Sequence, residues 1–214
     1  MKSRLLTICL GILLGFRTLS PAAEDTNAKI QRMVDSALAD FEAKKYDPAL
    51  NTLLEAEKLA PDSAFILNLV GAAYTKKKDY AQAKTCFEKA LNIDPNFFPA
   101  QFNVGELLFL QKQYPQALSH FVKMSNADPG NELLQFKLVL CLILTEQVED
   151  AQKLVRHMKF PGDQPAWYYA QAALQVKAGD KSKAREYRAT AEQIFPGKTS
   201  LYAETFQDLG WPTN

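Results

Sequence analysis

The sequence predicts an all-α repeat domain built from helical hairpins, and three observations predict it. Four segments end alike, in LLEAEKLAP to Pro61, FEKALNIDP to Pro95, FVKMSNADP to Pro129 and YRATAEQIFP to Pro196. The first three of these prolines are spaced by 34 residues, and the fourth lies 67 residues further on, two periods less one. Within a period, apolar residues recur at helical spacing in two blocks separated by a short polar turn, the pattern of two amphipathic helices. A fixed period of this length marks a repeat architecture, because each hairpin carries an apolar face that only a stacked neighbour can bury.

Composition narrows the function classes. The chain has 214 residues, 47% hydrophobic and 23% charged, enough for one sizeable core. Its net charge of +1 lacks the clustered basic character of a nucleic-acid binder. Lys2, Arg4 and Arg17 supply most of the small excess, and without residues 1–22 the net charge is about −2.

Residues 1–22 read as a secretory signal peptide: a basic start, an uncharged apolar run from Leu5 to Phe16, then small residues around Ser20-Pro21-Ala22-Ala23. The run of about 12 residues is shorter than the roughly 20 that span a bilayer as a helix. Cleavage is expected near Ala22, giving an exported, periplasmic or secreted chain; an uncleaved N-terminal membrane anchor is the alternative. Cys86 and Cys141 would then meet an oxidising compartment, and a bridge between them is conceivable. Their register places them two repeat units apart, which favours two small apolar helix residues.

Residues 23–29 are expected to form a short linker, followed by units at about 30–63, 64–97, 98–131, 132–164 and 165–198. The second unit shows the physics most clearly. Leu67, Val70 and Tyr74, then Tyr80, Ala83, Phe87, Ala90 and Leu91, form two apolar stripes either side of Lys78-Asp79. Gly71 and Ala83 are small where the two backbones must approach, and Asp94-Pro95 stops the second helix. The first unit repeats the pattern with Ala37, Ala49 and Ala56, the third with Gly105, Ala117 and Met124. The fourth is degenerate, with Val139 and Met158 at positions where small residues are expected and no proline in register. The fifth recovers with Ala172, Gly179-Asp180, Ala184, Ala191 and Pro196. Residues 199–214 add one more helix, with Leu201, Tyr202, Phe206 and Leu209 on one face and Gly210 and Pro212 ending it. Its expected role is to cap the solenoid; the alternatives are that it folds back into the groove or mediates dimerisation.

These residues resemble the tetratricopeptide repeat, a family of 34-residue units, over about residues 30–198. The resemblance implies a right-handed superhelix whose first helices line a concave surface. At the positions that contact bound peptides in that family, this chain carries Phe65, Asn68, Phe102, Glu106, Phe109, Phe136, Leu140 and Tyr169. Such a lining is apolar and aromatic, and it suits an apolar protein segment or amphipathic helix. Phe102, Phe109 and Phe136 are expected to carry most of the affinity, so that Phe109→Asp would abolish capture without unfolding the chain. The competing expectation is that tight curvature, the terminal helices or a second copy already buries these side chains.

The expected function is thus an exported scaffold or adaptor for a protein or peptide partner. The alternative is a structural solenoid that self-assembles as a homo-oligomer. An envelope lipid or glycan binder fits less well, since the groove lacks clustered polar side chains for sugar. No enzyme activity, metal, cofactor, nucleic acid or small-molecule substrate is expected. Phosphate-loop and nucleophile-elbow motifs are absent, and His120 and His157 have no partner at metal-ligand spacing.

Overall fold

The computed structural model describes residues 21–212, and among these it contains eleven helices and no strand. They are α1 (Pro21–Glu42), α2 (Tyr46–Leu59), α3 (Ala64–Lys76), α4 (Tyr80–Ile93), α5 (Phe98–Leu110) and α6 (Tyr114–Ala127). α7 (Glu132–Leu144), α8 (Val148–His157), α9 (Ala166–Lys177), α10 (Lys181–Ile194) and α11 (Ser200–Asp208) complete the chain. The expected signal peptide lies outside the described residues, except that Pro21 and Ala22 open α1. Residues 23–29 form no loose linker: α1 passes through them without a break. No proline or glycine interrupts the chain from Ala22 to Glu42.

Each hairpin closes in the same way. Lys44, Lys78, Lys112, Glu146 and Gly179 all have positive φ, between 58° and 83°. Their spacing is 34, 34, 34 and 33 residues, so the missing residue lies between Glu146 and Gly179. At each turn the next residue donates its N–H across six residues, from Asp79 to the Tyr74 carbonyl at 2.9 Å and from Gln113 to the Leu108 carbonyl at 2.9 Å. These bonds satisfy carbonyls that the helix end leaves without partners. Side chains cap the helices that follow: Asp79, Asn131 and Asp180 accept from Gln82, Leu134 and Lys183 N–H groups at 3.2, 3.1 and 3.0 Å.

Small residues set the distance within a hairpin. A Cβ added at Gly71 would lie 2.5 Å from the Phe87 ring of α4, and at Gly105 it would strike the Phe121 ring of α6. From α1 to α10 the helices pack consecutively, with α3 also against α5 and α7 against α9. Pro61, Pro95, Pro129 and Pro196 each follow the end of a second helix by two residues. In the degenerate fourth unit, α8 is only 10 residues long. The loop after it is held by Glu132, whose carboxylate accepts the Asp163 and Gln164 N–H groups at 2.8 and 3.1 Å. The core divides accordingly. A large cluster runs from Phe109 to Phe206 and a smaller one from Val34 to Cys86.

Candidate functional site

The first helices α1, α3, α5, α7 and α9 of the five hairpins line one face, and α11 lies across it. Tyr202 packs on Phe136 of α7 and Tyr169 of α9, with ring centroids 5.0 and 5.3 Å apart. Phe206 meets Tyr169 at 5.5 Å and Trp211 at 5.2 Å. Both α11 aromatics are buried, and so is Thr205 between them. Further along, Glu204 reaches α3, where its carboxylate accepts from the Lys76 ammonium at 2.7 Å. A helix that simply extended the stack would touch α9 and α10 alone. Contact with α3, six helices earlier than α9 in the fold, places α11 inside the curve of the solenoid. Of the three roles expected for this helix, folding back into the groove is the one the geometry shows.

This placement corrects half of the expected groove. Phe109 is 2% exposed, and Phe136, Leu140 and Tyr169 are fully buried. Phe136 and Tyr169 are core residues because the α11 aromatics cover them, and Phe109 and Leu140 belong to the same buried cluster. An aspartate at Phe109 would therefore be a buried charge and would test the fold instead of the groove. Phe65 is 48% exposed on α3 but stands apart from the open cleft described next. Asn68 is buried, where its side-chain oxygen accepts from the Asn103 amide at 2.8 Å. Phe102 is half-buried between Phe98 and Phe121, at 6.2 and 5.6 Å.

What remains open is a cleft of about 290 Å³ between the first three first-helices and α11. Phe41, Ala72, Phe102, Leu110 and Leu201 give it an apolar lining. Thr75, Lys76, Asn103, Glu106, Glu204 and Asp208 add polar groups. Burial alone would lower the Lys76 pKa, but the Glu204 bond and charge outweigh it and hold it above the ordinary lysine value. A wider hollow of about 540 Å³ on the face of α2 is lined by that helix and Pro61 alone and has no such convergence.

One group buried between α5, α7 and α11 escaped sequence reasoning. Lys137 of α7 is 1% exposed, and its ammonium donates to a Glu106 carboxylate oxygen at 2.7 Å and to Thr205 Oγ1 of α11 at 3.1 Å. It also lies 5.1 Å from the centre of the Phe109 ring, a favourable cation–π distance. The only signal for it is a single charge within the apolar run of α7, ELLQFKLVLCLIL, after its opening glutamate. The two histidines serve locally: His120 bonds the Gln101 carbonyl and His157 the Lys153 carbonyl, each at 2.7 Å. Among the described residues, no cluster of three His, Cys, Asp or Glu side chains has the geometry to hold a metal. Cys86 and Cys141 are free thiols, buried on α4 and α7.

Fold and site together define a helical-repeat protein with a partly filled concave face. Models of the tetratricopeptide repeat match residues 64–97, 86–119 and 108–174. Together they span 64–174, just over half of the chain, and the chain belongs to the tetratricopeptide-repeat family. The right-handed superhelical solenoid expected from the resemblance is thereby established as its fold class. No curated protein sequence matches. Among solved structures, a thermophilic tetratricopeptide-repeat protein of Thermus thermophilus is 19% identical, with a TM-score of 0.68 over 84% of this chain and 98% of that one. PilF of Pseudomonas aeruginosa is 20% identical, with a TM-score of 0.60 over 87% and 88% of the two chains. YrrB, described as a repeat protein with an unusual peptide-binding site, is also 20% identical, with a TM-score of 0.53 over 87% and 95%. At these identities the likeness establishes the fold.

Proposed function

We propose that this chain is a non-catalytic interaction scaffold that takes a protein segment on the open part of its concave face, between α1, α3, α5 and α11. The observation that carries the reading is the cleft itself, lined by both apolar and polar side chains of α1, α3, α5 and α11. Preformed surfaces of this kind lose little ordering entropy on binding. The fold supports the same reading, and YrrB, a structural relative, has a peptide-binding site. We further propose that the chain is exported behind residues 1–22, a reading supported by the basic start, apolar run and small residues of that segment. No helix among the described residues is long and apolar enough to cross a membrane.

The test is capture of partners by the tagged chain beside the same chain carrying Ala72→Arg. Ala72 is partly exposed within the cleft on a helix, so arginine there fills the cleft at small helical cost. A partner held by the parent chain and lost in the variant supports the reading. Equal capture by both removes the cleft as the working surface, and recovery of the chain alone favours the self-assembling solenoid. Export is tested separately by the N-terminal sequence of the mature protein, expected to begin near Ala23.

A further inference from the structure

The concave face already holds a helix, and that helix displays the chemistry the face accepts. Tyr202 and Phe206 stand four residues apart, so both point from one side of α11. Tyr202 seats on Phe136 and Tyr169, Phe206 on Tyr169. Between them in sequence, Glu204 projects the other way to Lys76, a partly exposed ion pair. The segment Pro196-Gly197-Lys198 joins α11 to the repeats, all three exposed and Gly197 at φ +76°. No hydrogen bond between backbones ties α11 to α3, α7 or α9; side chains alone hold it. Alongside, Leu201 of α11 is 41% exposed and lines the open cleft.

Resting on the scaffold reading above, we propose that α11 is an internal stand-in for the partner: the segment this chain takes is an amphipathic helix with two aromatic residues four apart and an acidic residue between them, and from the open cleft it extends across the concave face by displacing α11. Lys76 is the residue that selects the acidic group, and the shelf formed by Phe136 and Tyr169 takes the aromatics. A tethered helix competes at a high effective concentration, so the resting groove is closed to weak ligands and opens to a helix that fits better than α11 itself.

The experiment uses the full mature chain and a labelled peptide of residues 200–211 as the probe. With the parent chain, binding is expected to be weak and to release α11, read as faster amide hydrogen exchange over 201–209. In the chain carrying Phe206→Ser, which loosens its own α11, the peptide is expected to bind at least about tenfold more tightly. Replacing Tyr202 and Phe206 of the peptide by alanine, with Trp211 kept, is expected to remove this binding. Lys76→Glu, an exposed change that leaves the core alone, is expected to weaken the peptide and to restore binding of a peptide carrying Glu204→Lys. This charge swap keeps the test decisive even where Phe206→Ser disturbs the fold. The proposal is overturned if the alanine peptide binds equally, if exchange over 201–209 stays slow with peptide bound, or if the charge swap fails to restore binding. It is also overturned if the Phe206→Ser chain dimerises by exchanging α11 between copies in place of taking the peptide. None of these outcomes affects the Ala72→Arg comparison, so loss of this proposal leaves the scaffold reading standing, and equal capture by Ala72→Arg removes that reading independently.

Discussion

Removing the Glu106 carboxylate should destabilise this protein more than removing the Lys137 ammonium that it pairs with. The two groups are 2.7 Å apart, but their surroundings differ: the Lys137 side chain is 1% exposed and that of Glu106 is 17% exposed. In Glu106→Leu the ammonium stays enclosed by Phe109, Phe136 and α11, with only Thr205 Oγ1 as a polar partner. An uncompensated buried charge costs about 3–5 kcal/mol. In Lys137→Met the carboxylate loses its ammonium partner, but its side chain is less enclosed than that of Lys137 and lines the open cleft, so the loss should be smaller, about 1–3 kcal/mol. The double variant leaves no charge behind, and replacing a buried pair by apolar groups is commonly neutral or stabilising by about 1–4 kcal/mol. Urea unfolding followed by circular dichroism measures all four corners of the cycle. With a slope of about 2 kcal/mol per molar urea, Glu106→Leu should lower the midpoint by roughly 1.5–2.5 M. The reasoning fails if the two single variants cost the same, or if the double variant costs the sum of both.

Two further predictions concern the core. Gly71→Ala places a methyl group against the Phe87 ring at 2.5 Å. The α3–α4 hairpin must open to admit it, so a loss of about 1–3 kcal/mol in urea unfolding is expected despite the better helix propensity of alanine. Burial pushes the Cys86 thiol up to about 11, with Glu57 adding and Lys89 opposing, and the Cys141 thiol up to about 12, with Glu106 adding and Lys137 opposing. At pH 8 the folded chain thus holds about one thiolate per thousand Cys86 groups or fewer. A thiol reagent should label neither cysteine until denaturant is added, and labelling of the folded chain at the rate of a free thiol would contradict their burial.

The two functional experiments bear on different links of the argument. Ala72→Arg asks whether the open cleft is a working surface. The peptide and its charge swap ask whether α11 occupies the adjoining part of the concave face in place of a partner. Hydrodynamic size, measured on the same samples, separates a monomeric scaffold from a self-assembling solenoid.

The repeat architecture was legible because it is written locally. Spacing of Pro61, Pro95 and Pro129 reports the period, Gly71 and Gly105 report close backbone approach, and the apolar stripes report which helix faces pack. Each of these acts within one hairpin or between adjacent hairpins, so sequence distance and spatial distance coincide. The left-handed turn residues extend the same logic: five positions at intervals of 34, 34, 34 and 33 close the hairpins, although four of them are lysine or glutamate in place of glycine. Residues 23–29 were misread as a linker because a helix that starts before the first repeat leaves no break in period to mark it.

The groove was only half legible. Sequence by itself determined that the inner positions are apolar, including Phe109, Phe136, Leu140 and Tyr169. An apolar inner face must be covered, and nothing local states by what. Tertiary structure alone decided that α11 covers it. Tyr202 reaches residues 66 and 33 positions earlier, Phe136 and Tyr169, and Glu204 reaches Lys76 across 128. Such contacts depend on how far the superhelix curves, which is a sum of small packing angles between hairpins. The same curvature brings Glu106, Lys137 and Thr205 together from three helices. Period and pattern set the hairpins and their stacking; the curvature they produce together decides which inner residues become core and which remain as a binding surface.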